Sequence, residues 1–534
     1  MDENQIQKLL KDKILKGVAA KKILIDKEII YSSVVLLKFY KNRNYSPAWV
    51  NYSDALVAVK SLLIEINKAE EHGLNPNDYH KVKIENLLES LNQSQNTEKK
   101  LTYLTNLELL LTDAFLIYGS HLLSGKVDPE KLDAEWSANR RAVNLGEILE
   151  TAVKSKNIEQ SLFELLPKQP GYKRLMDALK VYQEIKAKGG WQEISDGSAM
   201  KRYDYGKRIA QLRNRLILTG DFKSEKMKNR FSFDKNLESA VKRFQYRHGL
   251  YIDGTVGTAT LKALNVPIEE RITQIKLNLE RRRWLPNELG RQYIFVNIAN
   301  FRLSVVEEGK IVMFMKAVVG KDYRRTPVFS SKMSHIVLNP SWNIPKSLAV
   351  QDILPLVKNN PKYFSEQNIN VFQNVNKSLK EIDLNTVIWS DVSEQNFNYM
   401  FVQKPGPSNP LGKIKFIFPN KFSVYLHDSP AKALFKKTER TFSSGCIRIE
   451  KPLELAEYLL EDYHVWQKNK IIENIKSGVE ETIQITQLVM VHLLYWTAWA
   501  DEDGTIQFRN DIYGRDKILA ESLFSKFPEL QNIE

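Results

Sequence analysis

The sequence predicts an α+β multidomain chain: a helical N-terminal scaffold, a small three-helix module, and a mostly-β C-terminal domain with an inserted helical cap. Three observations predict it. The chain has 534 residues, too long for one ordinary hydrophobic core, so roughly two to four domains are expected. Apolar residues recur at three- and four-residue spacing across residues 1–195, the signature of amphipathic helices. From Gln292 onward the apolar period changes to two, the signature of strands.

Within residues 1–195, NLELLLTDAFLIYGSHLLSGKV carries the helical spacing, and Gly189-Gly190 reads as the break after a long helix. Residues 200–265 read as a separate unit. IAQLRNRLILTG is an amphipathic helix ending at Gly220. LESAVKRFQYRHGL is a second, with Gly249 placed as a left-handed C-cap. IDGTVGTATLKAL holds a turn and a third short helix, which Thr255 is positioned to cap. Three short helices in so little chain suit a binding module better than an enzyme. Residues 266–290, with QIKLNLERRRWLP, read as a charged linking helix closed by Pro286.

Residues 291–534 read as the mostly-β domain. YIFVNIANFRLSVVEEGKIVMFMKAVVG gives three strands with a turn at Glu307-Glu308-Gly309, and SHIVLNPSW and KFIFPNKFSVYLHD continue the pattern. Between them, residues 346–405 are more helical and polar, as an inserted cap would be. PLELAEYLLEDY is a helix, and YWTAWADEDGTIQFRND is a hairpin turning at Asp503-Gly504.

Hydrophobic residues at 43% and charged residues at 27% are ordinary globular values and exclude disorder as a description of the whole chain. The net charge of +14 favours anionic partners: nucleic acid, anionic lipid or polyanionic envelope polymers. A solvated Lys-rich surface explains the same charge. No basic run is interleaved with stacking aromatics, so nucleic acid is not expected. No apolar run approaches the roughly 18 residues of a membrane span, and the start, MDENQIQKLLKDKILKG, is polar. That suits a cytosolic protein or an export product trimmed of its signal or anchor. HExxH, Cys/His clusters, a P-loop and a dinucleotide fingerprint are all missing, and IDGTVG lacks EF-hand ligand spacing, so no metal or cofactor is expected.

Cys446 is the one cysteine, which excludes an intrachain disulfide. A lone cysteine is commonly a small buried apolar residue, and a lone histidine at a strand end is commonly structural. Here the two occur together. His427 ends a predicted strand, and Cys446 lies in the turn Ser443-Ser444-Gly445-Cys446 just before the strand IRI. Thiolate chemistry needs a nearby proton acceptor, which His427 supplies. Gly445 lets the backbone approach a substrate carbonyl, and N–H groups in the turn could form an oxyanion hole. Arg448 alternates with Ile447 and Ile449, which places it on the face of Cys446. There it could lower the thiol pKa or bind a carboxylate.

A histidine followed by S-x-G-C-x-R resembles the signature of L,D-transpeptidases of the YkuD type, met here by His427, Ser443, Gly445, Cys446 and Arg448. The usual pattern has histidine where this chain has Ser444. That departure and His427-Asp428-Ser429-Pro430 resemble the large, multidomain Gram-negative branch of the family. VGKDYRRTPVFS, LNPSWNIP, PGPSNPLGKIKF and YWTAWADEDGTIQFRNDIYGRD look like catalytic-domain segments of that branch, FDKNLESAVKRFQYRHGLYIDGTVGTATLKALNV resembles a peptidoglycan-binding domain, and RNYSPAW and EHGLNPNDYH resemble its scaffold.

The resemblance implies a ping-pong mechanism. His427 deprotonates Cys446. The thiolate attacks the amide before the terminal D-Ala of a tetrapeptide stem, and the thioester is resolved by the side-chain amine of another stem, giving a 3→3 cross-link. Arg448 and the N–H groups of Gly445 and Cys446 would stabilise the oxyanion or hold a carboxylate. Tyr425, Trp342, Ser444, Asn409 and Gly406 are the expected substrate-lining positions, although core packing or plain turn chemistry explains them too. The partner of His427 is either Asp428 or a backbone carbonyl. The implied setting is the periplasm or envelope of a Gram-negative bacterium, with anchoring by a segment outside this chain. The implied partners are peptidoglycan stem peptides and glycan strands, together with other cell-wall synthases, and the implied state is a monomer. An L,D-carboxypeptidase, a lipoprotein-tethering enzyme, a non-catalytic wall-binding scaffold and a cytosolic cysteine hydrolase are the alternatives.

Overall fold

The computed structural model describes residues 3–50, 55–137, 140–223, 229–360, 362–375 and 378–525. They form two compact units, one of Met1–Glu288 with Trp496–Glu534 and one of Leu289–Tyr495.

The first unit is helical apart from short hairpins such as β1 (Leu24–Ile25) with β2 (Glu28–Ile29). Its axis is the helix Thr97–Ser124, buried on every face from Leu104 to Gly119, as a helix apolar all round must be. The polar groups it carries inward are satisfied. Glu108 accepts hydrogen bonds from the N–H groups of Ala48, Trp49 and Val50. Asp113 accepts from Ser32 N and pairs with His80.

Residues 194–264 hold their own core of Leu212, Leu216, Leu237, Phe244 and Leu261, built by helices Lys207–Leu218, Lys235–Arg247 and Thr258–Leu264. Gly249 adopts φ 65° after the second of these, the left-handed conformation expected of it. Thr255 does not cap the third. That helix starts at Thr258 behind Gly257, while Thr255 N is engaged upstream by Asp253 Oδ1 at 2.8 Å.

The charged helix Ile268–Arg283 is a core element of this unit rather than an exposed link. Glu280 and Arg283 are buried and paired at 2.6 Å, and Arg281 pairs with Asp516. Partners far away in sequence remove the cost that such charges would otherwise carry. The hairpin Ala498–Ala500/Ile506–Phe508 forms as expected. However, it packs with Tyr172, Leu175, Ile272 and Ile275 in this first unit, so the sheet-bearing unit ends at Tyr495 rather than running to residue 534.

The second unit is mostly β. In chain order its strands are β3 (Gln292–Asn297), β4 (Arg302–Glu307), β5 (Lys310–Gly320), β6 (Phe329–Lys332), β7 (His335–Leu338), β8 (Trp342–Ile344), β9 (Ile369–Val375), β10 (Ser378–Glu381), β11 (Tyr399–Gln403), β12 (Ile414–Ile417), β13 (Leu426–His427), β14 (Thr441–Ser443), β15 (Ile447–Ile449), β16 (Glu481–Gln484) and β17 (Met490–Leu494). The main sheet runs β16-β7-β12-β13-β15-β5-β4-β3-β17-β6, with β14 paired to β5. Glu308 at φ 49° and Gly309 at φ 79° make the β4–β5 turn. His492 lies in β17 with Nδ1 2.7 Å from Ser330 Oγ and Nε2 2.8 Å from Leu289 O, a structural role.

The cap is not purely helical. A second antiparallel sheet, β10-β9-β11-β8, joins its short helices, and a core of Phe364, Val371, Trp389, Phe397 and Phe401 fills it. Alternating Val371, Phe372, Tyr399 and Phe401 favour strand packing, but short polar turns between these segments hide that period in the sequence.

Candidate active site

Neighbouring strands β12, β13, β15 and β5 build the site. Lys415 on β12 lies opposite His427 on β13, His427 lies beside Arg448 on parallel β15, and Arg448 lies opposite Val318 on β5. Directly paired residues share a face of a sheet, so Lys415, His427 and Arg448 form one row. The row before it holds Tyr425 and Cys446. Ile447 N donates to Tyr425 O at 3.1 Å, which sets the two segments side by side, and the Tyr425 hydroxyl faces the thiol. Tyr425 and His427 meet edge to face with ring centroids 5.8 Å apart.

The turn that presents Cys446 is braced from both sides. Gly445 adopts φ 110°, which a side chain would strain. Its carbonyl accepts from Thr326 Oγ1 at 2.8 Å, and that oxygen in turn accepts from Gly320 N at 2.9 Å. The Ser443 hydroxyl donates to Cys446 O and accepts from Gly445 N at 3.2 Å. The Gly445 N–H, expected to serve an oxyanion, is thus engaged by Ser443 here. Cys446 is half-buried, and its Sγ lies 3.9 Å from Ser423 O.

His427 is buried, and its Nδ1 has no hydrogen-bond partner among the described residues. Burial and then the Arg448 guanidinium push its pKa down to about 3, against the opposing pull of backbone groups at Asp428 and Leu411. Burial raises the Cys446 thiol above its ordinary pKa, although the Tyr425 backbone and hydroxyl, Lys415 and Arg448 all pull it down. Thiol and imidazole are therefore both neutral at rest. Proton transfer between them belongs to the attack itself.

Asp428 does not orient His427. Its carboxylate accepts from Lys413 N at 2.9 Å and from Lys432 Nζ at 2.6 Å, so the backbone carbonyl reading is the one left. Trp342, half-buried against the cap core, turns its indole to the Tyr425 hydroxyl. Ser444 is exposed, and its Oγ accepts from Arg324 Nη1 at 3.3 Å. Arg324 also grips Asp352 of the cap at 2.5 and 2.8 Å.

Asn409 is not a cleft residue. It is fully buried, and its amide donates to Pro340 O and Lys404 O and accepts from Leu411 N, at 3.0, 3.2 and 2.9 Å. Gly406 belongs to the same turn, accepting from Asn409 N at 3.3 Å. Lys415 and Thr326 are the residues that sequence reasoning missed. Lys415 alternates with Ile414 and Phe416, which marks a strand face but carries no chemical signature. Thr326 sits in an unremarkable loop.

Comparison with known proteins fits this geometry. Residues 291–472 match the YkuD family, L,D-transpeptidase catalytic domain. Residues 206–264 match the family described as "Putative peptidoglycan binding domain", and residues 35–179 match the family described as Scaffold domain. A Haemophilus influenzae protein described as "Putative L,D-transpeptidase" is 36% identical over 252 residues, covering 47% of this chain and 49% of that protein. The chain thus spans about half the length of this curated relative. Solved L,D-transpeptidases from Xylanimonas cellulosilytica (14% identity, 57% of this chain and 100% of that one, TM-score 0.18) and Stackebrandtia nassauensis (12%, 57% and 97%, TM-score 0.22) are too distant to carry a structural argument. The second unit carries an L,D-transpeptidase catalytic domain, and the first carries a peptidoglycan-binding domain.

Proposed function

We propose that this chain is an L,D-transpeptidase of the large, multidomain Gram-negative branch, forming 3→3 peptidoglycan cross-links in the periplasm through a thioester on Cys446. The observation that carries this reading is the lateral pairing of β13 with β15, which sets Tyr425 and His427 beside Cys446 and Arg448 on one face of a matched catalytic domain.

The chemistry follows from that face. His427, neutral at working pH, takes the Cys446 proton as sulfur attacks the carbonyl carbon before the terminal D-Ala. The C–N bond breaks, the imidazolium returns the proton to the leaving amine, and a thioester remains. The side-chain amine of a second stem attacks it, loses a proton to His427, and the thiol is re-formed. Lys415 and Arg448 disfavour the imidazolium, so the proton is passed on rather than held. With Gly445 N engaged by Ser443, the Tyr425 hydroxyl and Cys446 N are the remaining donors near the oxyanion. The module of residues 206–264 would hold the chain on the wall.

Tetrapeptide muropeptides incubated with the protein and resolved by mass spectrometry test this. Dimers with a 3→3 bond support it. Tripeptides alone would establish an L,D-carboxypeptidase instead, since only the acyl acceptor differs.

A further inference from the structure

The row Lys415–His427–Arg448 carries two cations and no anion. Lys415 is half-buried, with Nζ 4.1 Å from the centroid of the Tyr425 ring. Among the described residues its ammonium has no ion-pair or hydrogen-bond partner. Glu480, the carboxylate that acts on it, accepts instead from Ser341 N at 2.7 Å. The Arg448 Nε is buried, likewise without a hydrogen-bond partner among the described residues. Partly buried cations without counter-charge are costly, and a bound anion would remove that cost.

The strand order says where the anion belongs. The nucleophile precedes β15, the base lies on β13, and Lys415 lies on β12, on the far side of the base from the nucleophile. A leaving amine must reach His427 to collect its proton. Whatever follows that nitrogen extends past His427 toward β12. In a stem cut one residue from its end, that is a free carboxylate, under about 4 Å from the scissile carbon along three bonds.

Resting on the reading above, we propose that Lys415 binds the free α-carboxylate of the leaving residue and so selects stems that end one residue beyond the scissile bond. The carboxylate seated there would also offset the two cations around His427, strengthening the base only when the correct stem is bound.

The test uses two synthetic stem tetrapeptides, one ending in D-alanine and one in D-alaninamide, with the wild-type chain, Lys415→Met and Lys415→Arg. The wild type is expected to favour the free acid in kcat/KM by about 10- to 100-fold, the scale of a charge-assisted hydrogen bond. Lys415→Met should bring the two peptides within about threefold, and Lys415→Arg should restore most of the preference. A preference that survives in Lys415→Met, with both peptides slowed alike, would overturn the proposal and make Lys415 a modulator of the thiol. The same peptides are also titrated by calorimetry against Cys446→Ala and against Cys446→Ala/Lys415→Met. Binding needs no turnover, so failure of the proposed reaction leaves this arm decisive: tighter binding of the acid only while Lys415 is present supports the assignment, and equal loss for both peptides contradicts it.

Discussion

His427 and Arg448 are direct neighbours across the parallel β13–β15 pair, and the guanidinium opposes protonation of the imidazole. With burial, it holds His427 near a pKa of 3, well below the ordinary 6.5 or so. Between those values the unfolded chain binds more protons than the folded one, so stability falls as pH drops through that window. For one such histidine the loss between pH 7 and 4.5 is roughly 2–3 kcal/mol. Urea unfolding at both pH values is expected to show His427→Gln losing less than wild type by about that amount. Equal losses would place His427 in a more solvated or paired environment.

The thiol moves the other way. Burial raises Cys446, while Lys415 and Arg448 each lower it. The rate of iodoacetamide alkylation is expected to keep climbing through the alkaline range, and Arg448→Met should shift the titration further up. A downward shift in that variant would contradict the placement of the guanidinium.

Asn409 stitches four chain positions through one amide. Asn409→Ala leaves buried backbone groups unpaired and should cost about 1–3 kcal/mol of unfolding free energy. The KM for stem peptides should stay within about twofold, since a lost ligand contact of ordinary strength would move it by more. A large KM change at unaltered stability would restore the substrate-binding reading.

Gly320 lies where a Cβ would come 2.1 Å from Arg324 O. Its N–H also holds Thr326, which holds the Gly445 carbonyl. Gly320→Ala should destabilise the second unit by about 1–3 kcal/mol or more and slow alkylation of Cys446 through the displaced turn. Denaturant midpoints and alkylation rates check both.

Much of this arrangement was readable in the sequence, for identifiable reasons. His427, Cys446 and Arg448 lie on strand ends or in a turn, where period-two alternation fixes which face each occupies. The turn at Glu308-Gly309 and the cap at Gly249 follow from local chemistry alone. What was not readable depends on partners distant in sequence. The helix Ile268–Arg283 looks solvated until Glu280 meets Arg283 inside a core and Arg281 meets Asp516. Residues 496–525 look contiguous with the sheet they follow, yet Ala498 and Phe508 bury against Tyr172 and Ile275. Lys415 is one polar residue in an alternating strand until the β12–β13 register sets it opposite His427. Asn409 looked like a cleft residue because its turn precedes the strand, but burial had committed its amide to the backbone.

The most direct test of the central claim is the muropeptide reaction run with wild-type chain and with Cys446→Ala, followed by mass spectrometry of both products and protein. The account predicts release of D-Ala, a thioester adduct on the wild-type chain at Cys446 and 3→3 dimers, with all three missing from Cys446→Ala. An adduct or dimers formed by the alanine variant would contradict it.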